Sequence, residues 1–214
     1  MTQTFMPTGT VYGTLLNFKT ELAAMQPQMS QPPYKAPPQT PVLYVKPANT
    51  WSANGASITV PARVPDVEIG ATIAMVVSGG LNSQIRYVLM NDFSIPNNSF
   101  FRPPVKFKCL DGFLGIGSQT IEADMPEDFK LEVRVNGRLV QSLDFSNIVR
   151  PAAQLFTDVS EFMTLRDGDV LMLGCDCLPD GKRPLARVGD VISINSPNHP
   201  ALGTLSNTLV AEAV

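Results

Sequence analysis

Histidine is almost absent from this chain. His199 is the only one in 214 residues, and its setting, Pro197-Asn198-His199-Pro200, predicts a surface turn. Cysteine is scarce as well: Cys109, Cys175 and Cys177 are too few and too unevenly placed for a disulfide framework. Cys175-Asp176-Cys177 lacks C-x-x-C spacing and has no second Cys/His pair, which argues against a zinc or redox centre. Charge is sparse, at 16% of residues, and 16 Lys+Arg against 19 Asp+Glu leave a net −3. That balance excludes nucleic acid or an anionic membrane as the main expected partner. No apolar run approaches the roughly 18 residues of a membrane-spanning helix. Met1-Thr2-Gln3-Thr4-Phe5 lacks the basic-then-apolar order of an export signal, so the expected compartment is the cytoplasm.

What the chain does contain is apolar residues (44%) broken up by 19 Pro and 15 Gly. Short apolar runs between turn residues predict a fold that is mainly β with few short helices. Residues 9–16, 42–46 and 57–60 read as strands, two of them stopped by Pro47 and Pro61. Asn17 is placed to cap a helix running to about Met25, with Leu22 and Met25 on one face. Residues 26–38 carry too much proline for regular structure and form either a surface linker or a lid. Residues 84–90 fit helix or strand, and 92–117 read as a long loop of the kind that often carries function. The strongest local signal is Asn136-Gly137 between two alternating runs, a type I′ hairpin. Pro151 opens a predicted helix to Met163, with Leu155, Val159 and Phe162 at helical spacing. Arg166-Asp167-Gly168-Asp169 and Arg187-Val188-Gly189-Asp190 are similar tight turns feeding strands, and the last dozen residues are expected to be poorly ordered.

Residues 70–77 are apolar at nearly every position, as in a strand buried on both faces, and Asn91-Asp92-Phe93-Ser94 follows them. An Asp just past a buried strand resembles one ligand of a divalent-metal site, but a hard cation usually needs more than one carboxylate. The segment 70–77 contains none.

Taken in order, several of these segments resemble the fumarylacetoacetate hydrolase family. They are Pro41 to Pro47, the strand 70–77, Asn91-Asp92-Phe93-Ser94, Lys108 before a Gly-rich loop, Asn136-Gly137-Arg138 with Gln141, and Ser160 through Thr164-Leu165 to Gly168-Asp169. Tyr34-Lys35-Ala36-Pro37-Pro38, Lys46-Pro47-Ala48-Asn49-Thr50, Phe100-Phe101-Arg102-Pro103 and Lys108 to Phe113 narrow the match. They point to the isomerase/decarboxylase members of 4-hydroxyphenylacetate (homoprotocatechuate) degradation, and there to the N-terminal half or separate first subunit. The resemblance implies a distorted β-sandwich or roll of mixed sheets, usually dimeric. Residues 1–50 would form an N-terminal strand, helix and Pro-rich segment, and 51–214 the hydrolase-like domain, within one compact unit overall. The Pro-rich stretch then lies at the mouth of the site.

By the same resemblance, active members hold Mg²⁺ or Mn²⁺ with a Glu-x-Glu pair and the Asp of the Asn-Asp motif. Here the pair falls on Gly70 and Thr72, leaving Asp92, with Glu68 the only other carboxylate nearby. No tightly bound metal or other cofactor is therefore expected. The family's His-x-x-Glu lid dyad falls on Glu21 and Ala24. What remains is a cationic set: Lys108, Lys46 and Asp92 as candidate catalytic residues, with Arg102, Asn91 and Lys35 as candidate substrate-binding residues. Lysine and arginine suit the unsaturated oxo-dicarboxylates and tricarboxylates that the resemblance implies as substrates. A buried lysine is also able to move the proton of a dienol tautomerisation. Lys46 and Asp92 are otherwise a structural ion pair.

Two functions follow, beside a third reading of the chain as a small-ligand binder unrelated to that pathway. In one, the chain is a subunit of the 2-hydroxyhepta-2,4-diene-1,7-dioate isomerase and 5-oxopent-3-ene-1,2,5-tricarboxylate decarboxylase, contributing isomerisation as a homodimer or beside a homologous metal-bearing subunit. In the other, it is an inactive structural partner of that subunit.

Overall fold

A computed structural model describes residues 4–78, 84–97, 104–123 and 126–213. In chain order the elements are β1 (Val11–Leu15), α1 (Lys19–Met29), β2 (Val42–Lys46), β3 (Trp51–Ala53), β4 (Ser57–Val60) and β5 (Val67–Glu68). Next come β6 (Ala71–Ser78), β7 (Gln84–Asp92), α2 (Val105–Lys108), β8 (Leu114–Ile121), β9 (Lys130–Val135) and β10 (Arg138–Asp144). The last are α3 (Ala152–Ser160), β11 (Val170–Met172), β12 (Leu185–Ala186), β13 (Val191–Asn195) and β14 (Thr204–Ala211). The protein is mainly β, as its turn-rich composition predicts. A seven-stranded sheet runs β2-β1-β11-β6-β7-β8-β3, and a five-stranded sheet runs β10-β9-β13-β14-β4. Both are mixed: β1 pairs parallel with β11, β3 with β8 and β14 with β4.

β6 explains how the layers assemble. Ala71, Ile73, Met75 and Val77 on one face join the main core with Leu131 and Val133 of β9 and Ile192 and Ile194 of β13. Ala74 and Val76 on the other face join a second core with Val88, Met90, Val170, Met172, Met25 and Met29. Period-two alternation therefore serves two cores at once, which is why the run reads as uniformly apolar.

Several local expectations hold. Asn136 and Gly137 have φ of 51° and 80°, as a type I′ turn requires. The twin turns are equivalent: Asp169 Oδ2 accepts from the Arg166 amide and Asp190 Oδ2 from the Arg187 amide, each at 2.8 Å. His199 stands in a turn, its ring 4.4 Å from that of Phe129.

Others are corrected. Asn17 does not cap α1, whose N-cap is Phe18 with no side-chain hydrogen bond. It is instead a buried tie, donating to the carbonyls of Arg150 (3.1 Å) and Leu173 (2.7 Å) and accepting from the Arg150 amide (2.9 Å). The helix continues to Met29 through Pro27, so residues 26–29 are helical. Buried Glu21, Met25 and Met29, spaced four apart, decide this, because docking a face outweighs one proline. Residues 84–90 are strand, and 92–117 contain α2 and the start of β8. The C-terminal stretch is ordered as β14, inside the five-stranded sheet between β13 and β4. α3 ends at Ser160, leaving Phe162 60% exposed.

Candidate active site

Two strand ends and a short helix meet at Asp92. On β2, Tyr44 and Lys46 share the inward face while Val45 between them is exposed. On β7, Val88, Met90 and Asp92 share a face by the same alternation. Tyr44 reaches across because its cross-strand partner on β1 is Gly13, and a Cβ there would lie 2.1 Å from the Tyr44 ring. α2, opened by Pro104, delivers Lys108 from the other side.

Asp92 is fully buried. Its Oδ2 accepts from the Lys108 ammonium and the Tyr44 hydroxyl. Lys46 Nζ lies 2.8 Å from Oδ1. The three hydrogens of that ammonium are directed at the carbonyls of Phe93 (3.1 Å), Lys108 and Phe113 (2.6 Å). Oδ1 is consequently held by charge rather than by a directed hydrogen bond. Burial alone pushes the Asp92 carboxyl up, but Lys108, Lys46 and Arg183 outweigh it and hold the group well below the usual carboxylate range. Burial lowers Lys46 despite the Asp92 charge. Burial, then the Asp92 charge, push Tyr44 well above its ordinary value and keep its hydroxyl a donor.

A second pair adjoins the first. Arg183 NH2 donates to Glu21 Oε1 at 3.1 Å, and Arg183 NH1 lies 3.9 Å from Asp92 Oδ2. Glu21, in the first turn of α1, also accepts from the Leu16 amide at 2.6 Å. Leu16 has φ of 60°, a left-handed conformation disfavoured for a residue with a Cβ, and the buried carboxylate holds its amide. Burial raises the Glu21 pKa, offset in part by Arg183. Three cations, Lys46, Lys108 and Arg183, thus face two carboxylates, Asp92 and Glu21, leaving one positive charge in excess.

A cavity of about 360 Å³ opens on this cluster. Lys108, Arg183 and Glu21 line it, together with Met25, Phe107 and Cys177. Lys46 and Asp92 stand behind that lining. Glu68, on the cavity wall, accepts from Ser94 Oγ at 2.9 Å.

The candidate residues therefore separate. Lys108, Lys46 and Asp92 are brought together, and Lys108 alone of the three lines the cavity. Asn91 is buried, its Oδ1 accepting from the Gly70 amide at 3.0 Å. Lys35 is exposed on the loop after α1. Arg102 lies outside the described residues. Glu21, Tyr44 and Arg183 were not candidates from the sequence. Tyr44 shares strand parity with Lys46, a signal that marks it. Arg183 stands in an irregular turn just before β12, where no periodicity points to a side chain's direction.

The donor set does not suit a divalent cation. A Cβ at Gly70 would meet the Asp92 carbonyl oxygen at 2.3 Å, and Thr72 Oγ1 donates to the Gly174 carbonyl at 2.6 Å. Asp92 is already neutralised by two ammonium groups. Among the described residues, no three His, Cys, Asp or Glu side chains group to hold a metal. Cys175 donates to the Gly70 carbonyl at 3.3 Å, and burial pushes its thiol up to about 12 and that of Cys177 to about 11. Burial thus disfavours the thiolate form at both positions. Gly70→Ala is expected to cost about 1–3 kcal/mol by forcing β6 from Asp92, read as a lower midpoint in urea unfolding.

The family model for the fumarylacetoacetate (FAA) hydrolase C-terminal region matches residues 10–210. The 4-hydroxyphenylacetate degradation bifunctional isomerase/decarboxylase of Salmonella dublin is 38% identical over 95% of this chain and 48% of its own length. The Escherichia coli protein of the same name is 36% identical over 91% of this chain and 46% of its own length. The chain spans about half the length of the curated relatives it matches. A solved structure of 2-hydroxyhepta-2,4-diene-1,7-dioate isomerase from Mycobacterium marinum superposes with a TM-score of 0.75, at 22% identity, over 99% of this chain and 78% of that one. This last likeness is one of fold.

Proposed function

The chain belongs to the fumarylacetoacetate (FAA) hydrolase family, and from that membership we propose that it isomerises 2-hydroxyhepta-2,4-diene-1,7-dioate to its 2-oxo-3-ene tautomer without a divalent metal. One observation carries the reading: Lys108 lines the cavity while bonded to a carboxylate that two other cations also face. The tautomerisation moves one proton. The 2-hydroxyl gives up its hydrogen, the double bonds shift, and C5 takes a proton, with no change in oxidation state. Lys108 is the carrier: its amine form takes the hydroxyl proton, which leaves a dienolate, and the ammonium so formed then gives a proton to C5. The excess positive charge stabilises the dienolate that forms between the two transfers. Lys46, with its hydrogens committed to carbonyls, fixes Asp92 and takes no part in the transfer. Decarboxylation of the tricarboxylate falls to a homologous, metal-bearing half or subunit paired with this chain, in the cytoplasm.

The test is loss of the dienol's ultraviolet absorbance on adding purified protein, alone and with such a partner. No conversion under either condition sinks the proposal. A second reading, a non-catalytic subunit, is favoured by the engagement of Asp92 with two ammonium groups and the Tyr44 hydroxyl inside the protein. It predicts that the partner loses stability without this chain while isomerisation stays with the partner.

A further inference from the structure

Arg183 is nine-tenths buried, and its two terminal nitrogens are used unequally. NH2 is committed to Glu21. NH1 is buried and has no hydrogen-bond acceptor; Asp92 Oδ2 faces it from 3.9 Å, beyond hydrogen-bond reach. A guanidinium donor shielded from water and left without an acceptor costs free energy unless something else supplies one. The surroundings keep it in place. The turn before it closes with Gly181 N to the Leu178 carbonyl at 2.8 Å and Leu178 N to the Lys182 carbonyl at 2.7 Å. Just after it, the Pro184 carbonyl accepts from the Ile69 amide at 2.8 Å, and β12 pairs with β5. Glu21 anchors the head of the side chain from α1. A residue clamped at both ends, with one donor spare, is preorganised for an anion.

We propose that Arg183 is the binding residue for the carboxylate–oxo end of a 2-oxo (or 2-hydroxy-enoic) acid, which docks between the Arg183 guanidinium and the Lys108 ammonium. This rests on the isomerisation reading above and specifies how its substrate is held. A carboxylate and its adjacent oxygen present acceptors side by side, a match for a planar guanidinium beside a second cation. Farther along the wall the charges are mixed, with Glu68 and Asp180 against Lys182, so the paired cations Arg183 and Lys108 mark the place for one anionic end. Glu21 is a positioning residue, holding the guanidinium by its other nitrogen. Docking leaves Lys108 against the same end of the ligand, beside the oxygen whose proton it exchanges.

The probe is 2-oxoheptanedioate, a stable saturated analogue, titrated calorimetrically against heptanedioate, which lacks the oxo group. The native protein is expected to prefer the oxo acid. Arg183→Gln is expected to weaken its binding by about 10- to 100-fold and erase the preference. Should Arg183→Gln fail to fold, Arg183→Lys retains Glu21's counter-charge, and the same preference is expected to shrink. Unchanged oxo-acid affinity in whichever variant folds, or no preference in the native protein, overturns the assignment. Native protein that binds the oxo acid through Arg183 yet converts no dienol supports this site while sinking the isomerisation. Dienol conversion whose KM ignores Arg183 does the reverse.

Discussion

Asp92→Asn is expected to lower stability by about 3–5 kcal/mol, a fall in Tm of roughly 6–20 °C for a domain of this size. The substitution preserves shape but removes the charge that faces Lys46, Lys108 and Arg183. Three buried cations then face only Glu21. Breaking a buried ion pair from one side is costly because the remaining charge keeps its desolvation penalty and loses its partner. The effect has a pH signature. The folded state holds the Asp92 carboxyl below its ordinary value, so the unfolded chain binds the proton more readily. The stabilisation is therefore complete above the unfolded value of about 3.9 and is lost as pH falls towards the folded one. Native and variant proteins should differ widely near neutrality and converge in acid. A gap in Tm that stays constant from neutral pH to below pH 4, or no gap at all, contradicts this account of the cluster.

Lys108→Met is expected to reduce dienol isomerisation by about 10²- to 10⁴-fold, the range lost with a positioned proton carrier. Its effect on stability should be smaller than that of Asp92→Asn, because Lys46 and Arg183 still face Asp92 and methionine refills much of the lysine stem's volume. Lys108→Arg should not restore the rate, since a guanidinium holds its protons too tightly to exchange them. Lys46→Met should show the opposite balance. It removes an ammonium with zero exposure whose hydrogens go to three carbonyls, so unfolding is the principal readout. Melting curves and initial rates on the same preparations separate the two lysines. Equal effects of both substitutions on rate per folded molecule would remove Lys108 from its role.

The contrast between these lysines marks how far sequence reasoning reaches. Lys46 stood out at a strand end and Lys108 before a Gly-rich loop, both through the family resemblance, and so did Asp92, with its carboxylate neighbours replaced by Gly70 and Thr72. The sequence carries no sign that Lys46 is sealed behind the cavity while Lys108 lines it. That difference depends on α2 folding over the end of β7, where the Phe107 carbonyl accepts from the Ile95 amide at 2.8 Å. Asn91 is a similar case: it was a candidate by adjacency to Asp92, and strand alternation turns it to the opposite face to bond Gly70. Glu21 shows the converse. Its apolar-stripe neighbours Met25 and Met29 put it on the buried side of α1, but only Arg183 and the Leu16 amide explain why a carboxylate is tolerated there.

What the sequence alone determined is local. Proline and glycine between short apolar runs set a β-rich fold, Asn136-Gly137 set a hairpin, and an uninterrupted apolar run set a strand with two buried faces. Each rests on interactions between near neighbours, whose spacing is written in the chain. The site was decided by tertiary structure. Tyr44 and Lys46 lie 48 and 46 positions from Asp92, Lys108 lies 16 and Arg183 lies 91. Charges that meet across such separations leave no periodic trace, and their protonation, burial and donor balance exist only once the sheets have closed around them.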